Sequence, residues 1–426
     1  MREDELQVLG TSKKNRKSIL QVIAAIAIMA LMIGAGFYWI LSSPHPERIK
    51  TGKKMGDPTI VPELQGAVDS LLNAKLAEID GLQGQVIVME MQTGEILAMS
   101  GMERNFEGKF QLCKNFAYQQ ELGSLTKTAS LLALLELGVD SSYVVHTGSG
   151  IWNVDEVRTM RDHNWRRGGY EDVNLSRALE VSSNIGISMP IWKFYKGHEG
   201  DFFDDLNKMG FGQPDNIDGI EGLRPTSYSS PKDSDWVNED IIWSSIGYNR
   251  KIAPIQMLTF YNAIANDGKM VKPTLKTGEV EIINPQIASK ANIKVMQEVL
   301  EHVVSQGLGR KAGTVFLQVA GKTGTSQVGE YDFGEDTYVE EYQVAFCGYF
   351  PADKPKYSMI VSMNKLGLPA SGGGMAGVLF HDIMEWMIAH EMPSLAIINE
   401  ETNDTIQISE YNIQSITDSL EKSSVE

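Results

Sequence analysis

The chain is 426 residues long and 42% hydrophobic, enough for a large core or for one big domain with attachments. Its formal net charge of −17 and pI near 5.0 argue against nucleic acid as a partner, because phosphate binding wants a basic face. The two cysteines, Cys113 and Cys347, form no CxxC pattern, and the seven histidines show no HExxH or HxxxH spacing. No disulfide framework, zinc site, other metal or cofactor is therefore expected, and the cysteines are read as two buried free thiols in preference to one bridge.

Residues 1–18 carry Arg2, Lys13, Lys14, Arg16 and Lys17 and are read as a cytoplasmic N-terminus. Residues 19–41, "ILQVIAAIAIMALMIGAGFYWIL", are apolar except for Gln21, long enough to span a bilayer. Tyr38 and Trp39 fall near the end of the stretch, where aromatic rings favour the interface. The length, and the lack of a small-x-small cleavage site after it, favour a retained signal anchor over a cleaved signal peptide. Basic residues flank it five to four, so charge alone does not orient it.

Residues 42–61 read as a juxtamembrane linker rich in Pro, Gly and Lys. From 62 to 79, Leu64, Val68, Leu71, Leu72, Leu76 and Ile79 recur at helical spacing. "QVIVMEMQTGEILAM" predicts a hairpin turning at Gln92–Glu95. Helical patterns run from 121 to about 310, broken by polar loops at 146–172 and 213–240. "FLQVAGKTGTSQ" and "YQVAFCGYFPADKPKYSMIVSMNK" return to strand patterns, and "GVLFHDIMEWMIAH" predicts a closing helix. Residues 393–426 read as an acidic tail with a short strand near Ile406. Strands early and late, with helices between, predict an antiparallel sheet built from both ends of a domain over 62–392, packed against a helical block.

Three stretches within that domain carry chemistry. Ser124 and Lys127 open the leucine-rich helical stretch "ELGSLTKTASLLALLELG". Residues three apart share a helix face, so a neutral lysine amine can take the serine proton. A cap followed by a snorkelling lysine fits the same residues. "ALEVSSNIGISMPIW" contains Ser182-Ser183-Asn184, residue types that also suit a helix N-cap. In "VAGKTGTSQ", Gly324 on a strand marks close approach by a ligand or another backbone, and Lys322 is a cation suited to a substrate carboxylate, or a solvated one on an edge strand. SxxK, then SxN 58 residues on, then KTG on a late strand is the set shared by penicillin-binding proteins and serine β-lactamases.

On these motifs the chain resembles the transpeptidase domain of class B penicillin-binding proteins, the peptidoglycan cross-linking enzymes. "MGFGQPDNIDGIEG", "SIGYNRKIAPIQMLTFYNAIANDGKMVKP" and "FCGYFPADKPKYSMIV" extend the likeness. The resemblance implies the penicillin-recognising α/β fold, a five-stranded antiparallel sheet with helices on both faces plus an all-helical block. It implies Ser124 as the acylated nucleophile, Lys127 as its base, Ser182 as proton relay and Lys322 as a source of positive potential. Asn184, Thr323, Gly324 and Thr325 would bind substrate, with the N–H groups of Ser124 and Thr325 as oxyanion hole. Asp162 and His163 in "RDHN" are expected to be structural. The implied partners are stem peptides, β-lactam antibiotics, the membrane through one helix, and a membrane glycan polymerase. The implied location is the extracytoplasmic side of the cell membrane.

The family's usual N-terminal pedestal is read as missing, since about 20 linker residues and one predicted helix separate Leu41 from the hairpin. Two other readings compete with the transpeptidase. One is a β-lactamase or D,D-carboxypeptidase with water as acceptor, against which stand the SxN triplet and the lack of a Glu-x-x-x-Asn segment after it. The other is a non-catalytic penicillin-binding sensor or scaffold, against which stands the intact motif set.

Overall fold

Pro62 starts helix α1, Pro62–Glu78, at a position where a missing N–H leaves no hydrogen bond unmade. Helix α1 turns Leu64, Val68, Leu72 and Leu76 inward, all fully buried. This is a computed structural model, and it describes residues 55–156, 158–332, 338–390, 392, 397–398 and 405–406. The expected N-terminal segments 1–18 and 19–41 lie outside the described residues, with the linker up to 54 and most of the tail. No helix among the described residues is long and apolar enough to cross a membrane. The end of the linker is docked: Gly56 N–H donates to Thr277 O, Thr59 N–H to Leu275 O and Val61 N–H to Leu97 O. In the tail, Thr405–Ile406 pairs antiparallel with Ile397–Ile398.

The expected hairpin forms from β1, Gly81–Glu90, and β2, Ile96–Arg104. A three-residue strand β3, Phe110–Leu112, pairs outside β2. The late strands are β4, Ala320–Asp332, β5, Tyr338–Phe350, and β6, Tyr357–Leu366. The sheet order is β4-β5-β6-β1-β2-β3, with β6 paired antiparallel to β1. The sheet is thus joined from both ends of the domain, and the five expected strands carry a short sixth at one edge.

Side-chain alternation on these strands separates two cores. Val86, Val88, Phe346 and Val361 face α1 and the closing helix α2, Gly377–Ala389. Ile87, Met89, Ala345 and Ile360 face the helical block. The helix that carries the SxxK lysine, Lys127–Glu136, is buried from Lys127 to Leu135. Helix Pro254–Ala265 is buried along all its residues and lies under the sheet. The loop expected at 146–172 instead holds two short antiparallel pairs, Val144–Gly148 with Glu171–Asn174 and Ile151–Asn153 with Thr159–Arg161. These pairs hold residues 161–164 against the block. Both cysteines are free; Cys347 is buried, but Cys113 only partly, so the expectation of two buried thiols holds for one of them.

Candidate active site

Ser124 lies in a tight 3₁₀ turn, Gly123–Leu125, just before the helix that begins at Lys127. In a 3₁₀ turn residues three apart eclipse, which carries the chain from the serine to the lysine along one side. Lys127 is fully buried. Its Nζ donates to Ser182 O at 2.7 Å and Asn184 Oδ1 at 2.7 Å, and lies 3.3 Å from Ser182 Oγ. The amine is therefore engaged with the SxN motif, and Ser124 is not among its hydrogen-bond partners. Burial lowers the Lys127 pKa to about 7, against a smaller opposing pull from Asp162. A neutral amine has two N–H groups and one lone pair. The two short bonds go to oxygens that can only accept, so the lone pair is left for a hydroxyl proton.

Ser182 owes its place to two helices meeting. Helix Leu175–Glu180 ends with Ser182 N–H donating to Leu179 O and Ser183 N–H to Ala178 O, the double bond pattern of a Schellman cap. Ser182 takes the left-handed position of that cap, φ +55°, where glycine is the common residue. Ser183 then caps helix Asn184–Tyr195, accepting from Gly186 N–H. The capping and the chemical readings of this triplet thus apply to adjacent residues. Asn184 Nδ2 donates to Arg161 O at 2.7 Å, which fixes the amide with Oδ1 toward Lys127.

Asp162 holds this corner together. Its carboxylate accepts from Asn184 N–H at 2.6 Å, Ile185 N–H at 3.1 Å and Ser183 Oγ at 2.7 Å. A carboxylate at a helix N-terminus answers unpaired N–H groups and the positive end of the dipole. Neighbouring His163 lines the cleft with Ser124, Ser182 and Asn184. Loss of solvent around the ring, then the Lys127 charge, holds its pKa below the usual imidazole range.

Lys322 departs from the expectation of an accessible cation. It is fully buried on the edge strand β4, and its Nζ donates to Ser182 Oγ at 2.8 Å and Thr323 O at 2.9 Å. Burial, and then the charge of Lys127, pushes its pKa well down. Thr323 and Thr325 line the cleft, which has a volume of about 410 Å³. Gly324 does not line it. A side chain there would meet Leu122 O at 2.7 Å, so this glycine admits the backbone next to the nucleophile turn.

Leu308 and the segment Ala370–Gly373 complete the wall and were not singled out from the sequence. Gly372 N–H donates to Thr325 Oγ1 at 2.9 Å, and a Cβ on Gly372 would fall 2.2 Å from Gly324 O. The run of three glycines after Ser371 was the available signal. A larger cleft of about 640 Å³, bordered by Glu301, Phe316, His381 and Glu385, holds none of the motif residues. No group of side chains suited to a metal gathers among the described residues. The arrangement can perform acyl transfer: a hydroxyl nucleophile, an amine near neutrality and a second hydroxyl between two amines.

Comparison with known proteins agrees. The family profile described as "Penicillin binding protein transpeptidase domain" matches residues 84–385. The chain is 28% identical over 337 residues to penicillin-binding protein PbpB of Mycolicibacterium smegmatis, covering 72% of this chain and 50% of that protein. It is 24% identical over 341 residues to peptidoglycan D,D-transpeptidase FtsI of Escherichia coli K12, covering 74% of this chain and 54% of the other. The chain thus spans about half the length of these curated relatives. Among solved structures it is similar to penicillin-binding protein 3 from Mycobacterium tuberculosis complexed with aztreonam. There the TM-score is 0.65 at 25% identity, with 79% of each chain covered.

The capping role of Asp162 predicts an ordered loss of stability. Asp162→Ala removes three hydrogen bonds to a buried carboxylate and is expected to cost about 2–4 kcal/mol. Asp162→Asn keeps one acceptor oxygen and is expected to cost less. Urea unfolding of the two variants checks this; equal losses, or none, would contradict it.

Proposed function

Because the chain belongs to the penicillin-binding protein transpeptidase family, and within it to class B, we propose that it cross-links peptidoglycan stem peptides through an acyl-enzyme on Ser124. The observation that carries this reading is the convergence of two buried amines, Lys127 and Lys322, on Ser182 Oγ beside the Ser124 cleft. Neutral Lys127 takes the Ser124 proton as Oγ attacks the carbonyl between the two terminal D-alanines. The N–H groups of Ser124 and Thr325 hold the oxyanion, an arrangement worth several kcal/mol in such sites. The proton passes from Lys127 through Ser182 to the leaving nitrogen, and D-alanine departs. A neighbouring stem's amine then attacks the ester and gives its proton to Lys127, and Ser124 leaves as the restored hydroxyl. Asn184, Thr323 and Thr325 hold the donor peptide and its carboxylate.

β-Lactams enter the same path, but their leaving nitrogen stays tethered, so the ester persists. No Asp or Glu lines the described cleft, so it offers no carboxylate to activate water, and transfer to an amine is favoured over hydrolysis. The apolar segment 19–41 supports a single-pass anchor with the catalytic domain outside the cytoplasmic membrane. A glycan polymerase in that membrane is the matching partner, since cross-linking acts on newly made strands.

A fluorescent β-lactam is expected to label the protein at Ser124 and to fail on Ser124→Ala. After removal of excess reagent the label should last for minutes to hours, since a missing deacylation base slows the step by roughly 10²–10⁴-fold. Loss within seconds, with steady cephalosporin turnover, would make the protein a hydrolase. Label on Ser124→Ala would remove Ser124 from its role.

The acylation rate is expected to rise with pH through about 7, because the Lys127 amine must lose its proton before it can accept another. The observed midpoint belongs to the Lys127–Lys322 pair, whose titrations are coupled. Lys127→Arg keeps the charge but cannot act as a base, and should lose roughly 10²–10⁴-fold. A flat profile from about pH 6 to 8, or wild-type acylation by Lys127→Arg, would assign the base elsewhere.

A reporter fused after Glu426 that matures only outside the cytoplasm is expected to be active. Activity of a strictly cytoplasmic reporter at that position would refute the topology.

A further inference from the structure

Beside the cleft, the segment Arg161–Arg167 concentrates positive charge in a chain whose net charge is −17. Arg161, Arg166 and Arg167 are all exposed. The guanidinium groups of Arg161 and Arg166 stack on Trp165, 5.5 and 4.9 Å from the ring centroid. Stacking holds a guanidinium by its face and leaves its N–H edge free to bind. None of the three arginines has an ion-pair partner among the described residues. Arg158 and Arg177 nearby do have partners, in Asp155 and Asp240 and in Glu180. Charge left unanswered in an acidic protein marks a place for an anion from outside.

The segment is also well anchored. Asp162 is fixed by its three bonds to the Ser183–Ile185 corner, and Arg161 O accepts from the Asn184 amide. The Arg167 charge is felt inside the cleft, where it helps to hold down the His163 pKa. The rim is therefore tied to the residue assigned to the donor peptide.

We propose that Arg161 and Arg166, stacked on Trp165, form with the neighbouring Arg167 a subsite for a free carboxylate of the donor stem peptide upstream of its D-Ala-D-Ala end. The subsite would make amidation of that carboxylate a specificity switch for this enzyme. The inference rests on the transpeptidase reading, which supplies the peptide.

The test uses the full chain in detergent and two synthetic pentapeptides ending in D-Ala-D-Ala, identical except that the upstream carboxylate is free in one and amidated in the other. Each peptide is scored by the concentration that halves the rate of benzylpenicillin labelling of Ser124. The free acid is expected to protect at roughly tenfold lower concentration than the amide, the scale of one charged hydrogen-bonded contact. In the double variant Arg166→Gln, Arg167→Gln and in Arg161→Gln that ratio should fall toward one. Because both peptides are read on the same variant, a general defect moves both values and leaves the ratio unchanged. Raised salt should shrink the wild-type ratio. Equal protection by the two peptides, no protection by either, or a preference that survives in all the variants would overturn the subsite. Failure of benzylpenicillin to label Ser124 in the wild-type chain would instead strike the transpeptidase reading itself.

Discussion

Two amines meet at one hydroxyl, and much of the molecule is arranged around that meeting. Lys127 and Lys322 lie fully buried, and both reach Ser182 Oγ. Two ammonium groups so close, out of water, repel strongly. Burial presses both toward the neutral form, and the Lys127 charge presses Lys322 further the same way. A lysine that is half neutral near pH 7 follows from this geometry, with no histidine needed as base. Asp162 pulls Lys127 the other way, which opposes the loss of its proton.

Such a pair can exist only where the sheet edge meets the helical block. Lys322 comes from β4, Ser182 from a helix junction and Lys127 from the central buried helix. Close approach of these backbones is set by absent side chains. Gly324 leaves room for Leu122 O, and Gly372 leaves room for Gly324 O. The buried amines are met by carbonyl oxygens of Ser182, Asn184 and Thr323, so neither is left without an acceptor. The cleft then opens directly above this polar knot, between the nucleophile turn and the Ser371–Gly373 segment.

Much of this was legible in the sequence, and the rest was hidden for identifiable reasons. Period-two and helical patterns located α1, the β1–β2 hairpin, the late strands and α2, because each buries a whole face. The three motifs marked their residues because acyl transfer needs unusual side chains in fixed order. The burial of Lys322 was not legible, since a lysine on an edge strand ordinarily reaches solvent and only the tertiary partner turns it inward. Asp162 reads as structural in the sequence, but its exact task does not show there, because two of its three partners are backbone N–H groups, which leave no trace in residue type. Strand β3 is too short to show alternation, and the docked end of the linker depends on residues 275–277, more than 200 positions away.

The left-handed backbone of Ser182 sets a conflict at a single codon. Glycine fits that helix-ending position without strain, whereas a residue with a side chain gives up about 1–2 kcal/mol. Glycine would also erase the hydroxyl between the amines. Drift under selection for stability alone would therefore carry position 182 toward glycine, and only demand for the reaction holds serine there. In a descendant that had kept its fold but abandoned its chemistry, this codon would be among the first to record the change, while the buried lysines, whose removal leaves holes in the packing, would be slower to go.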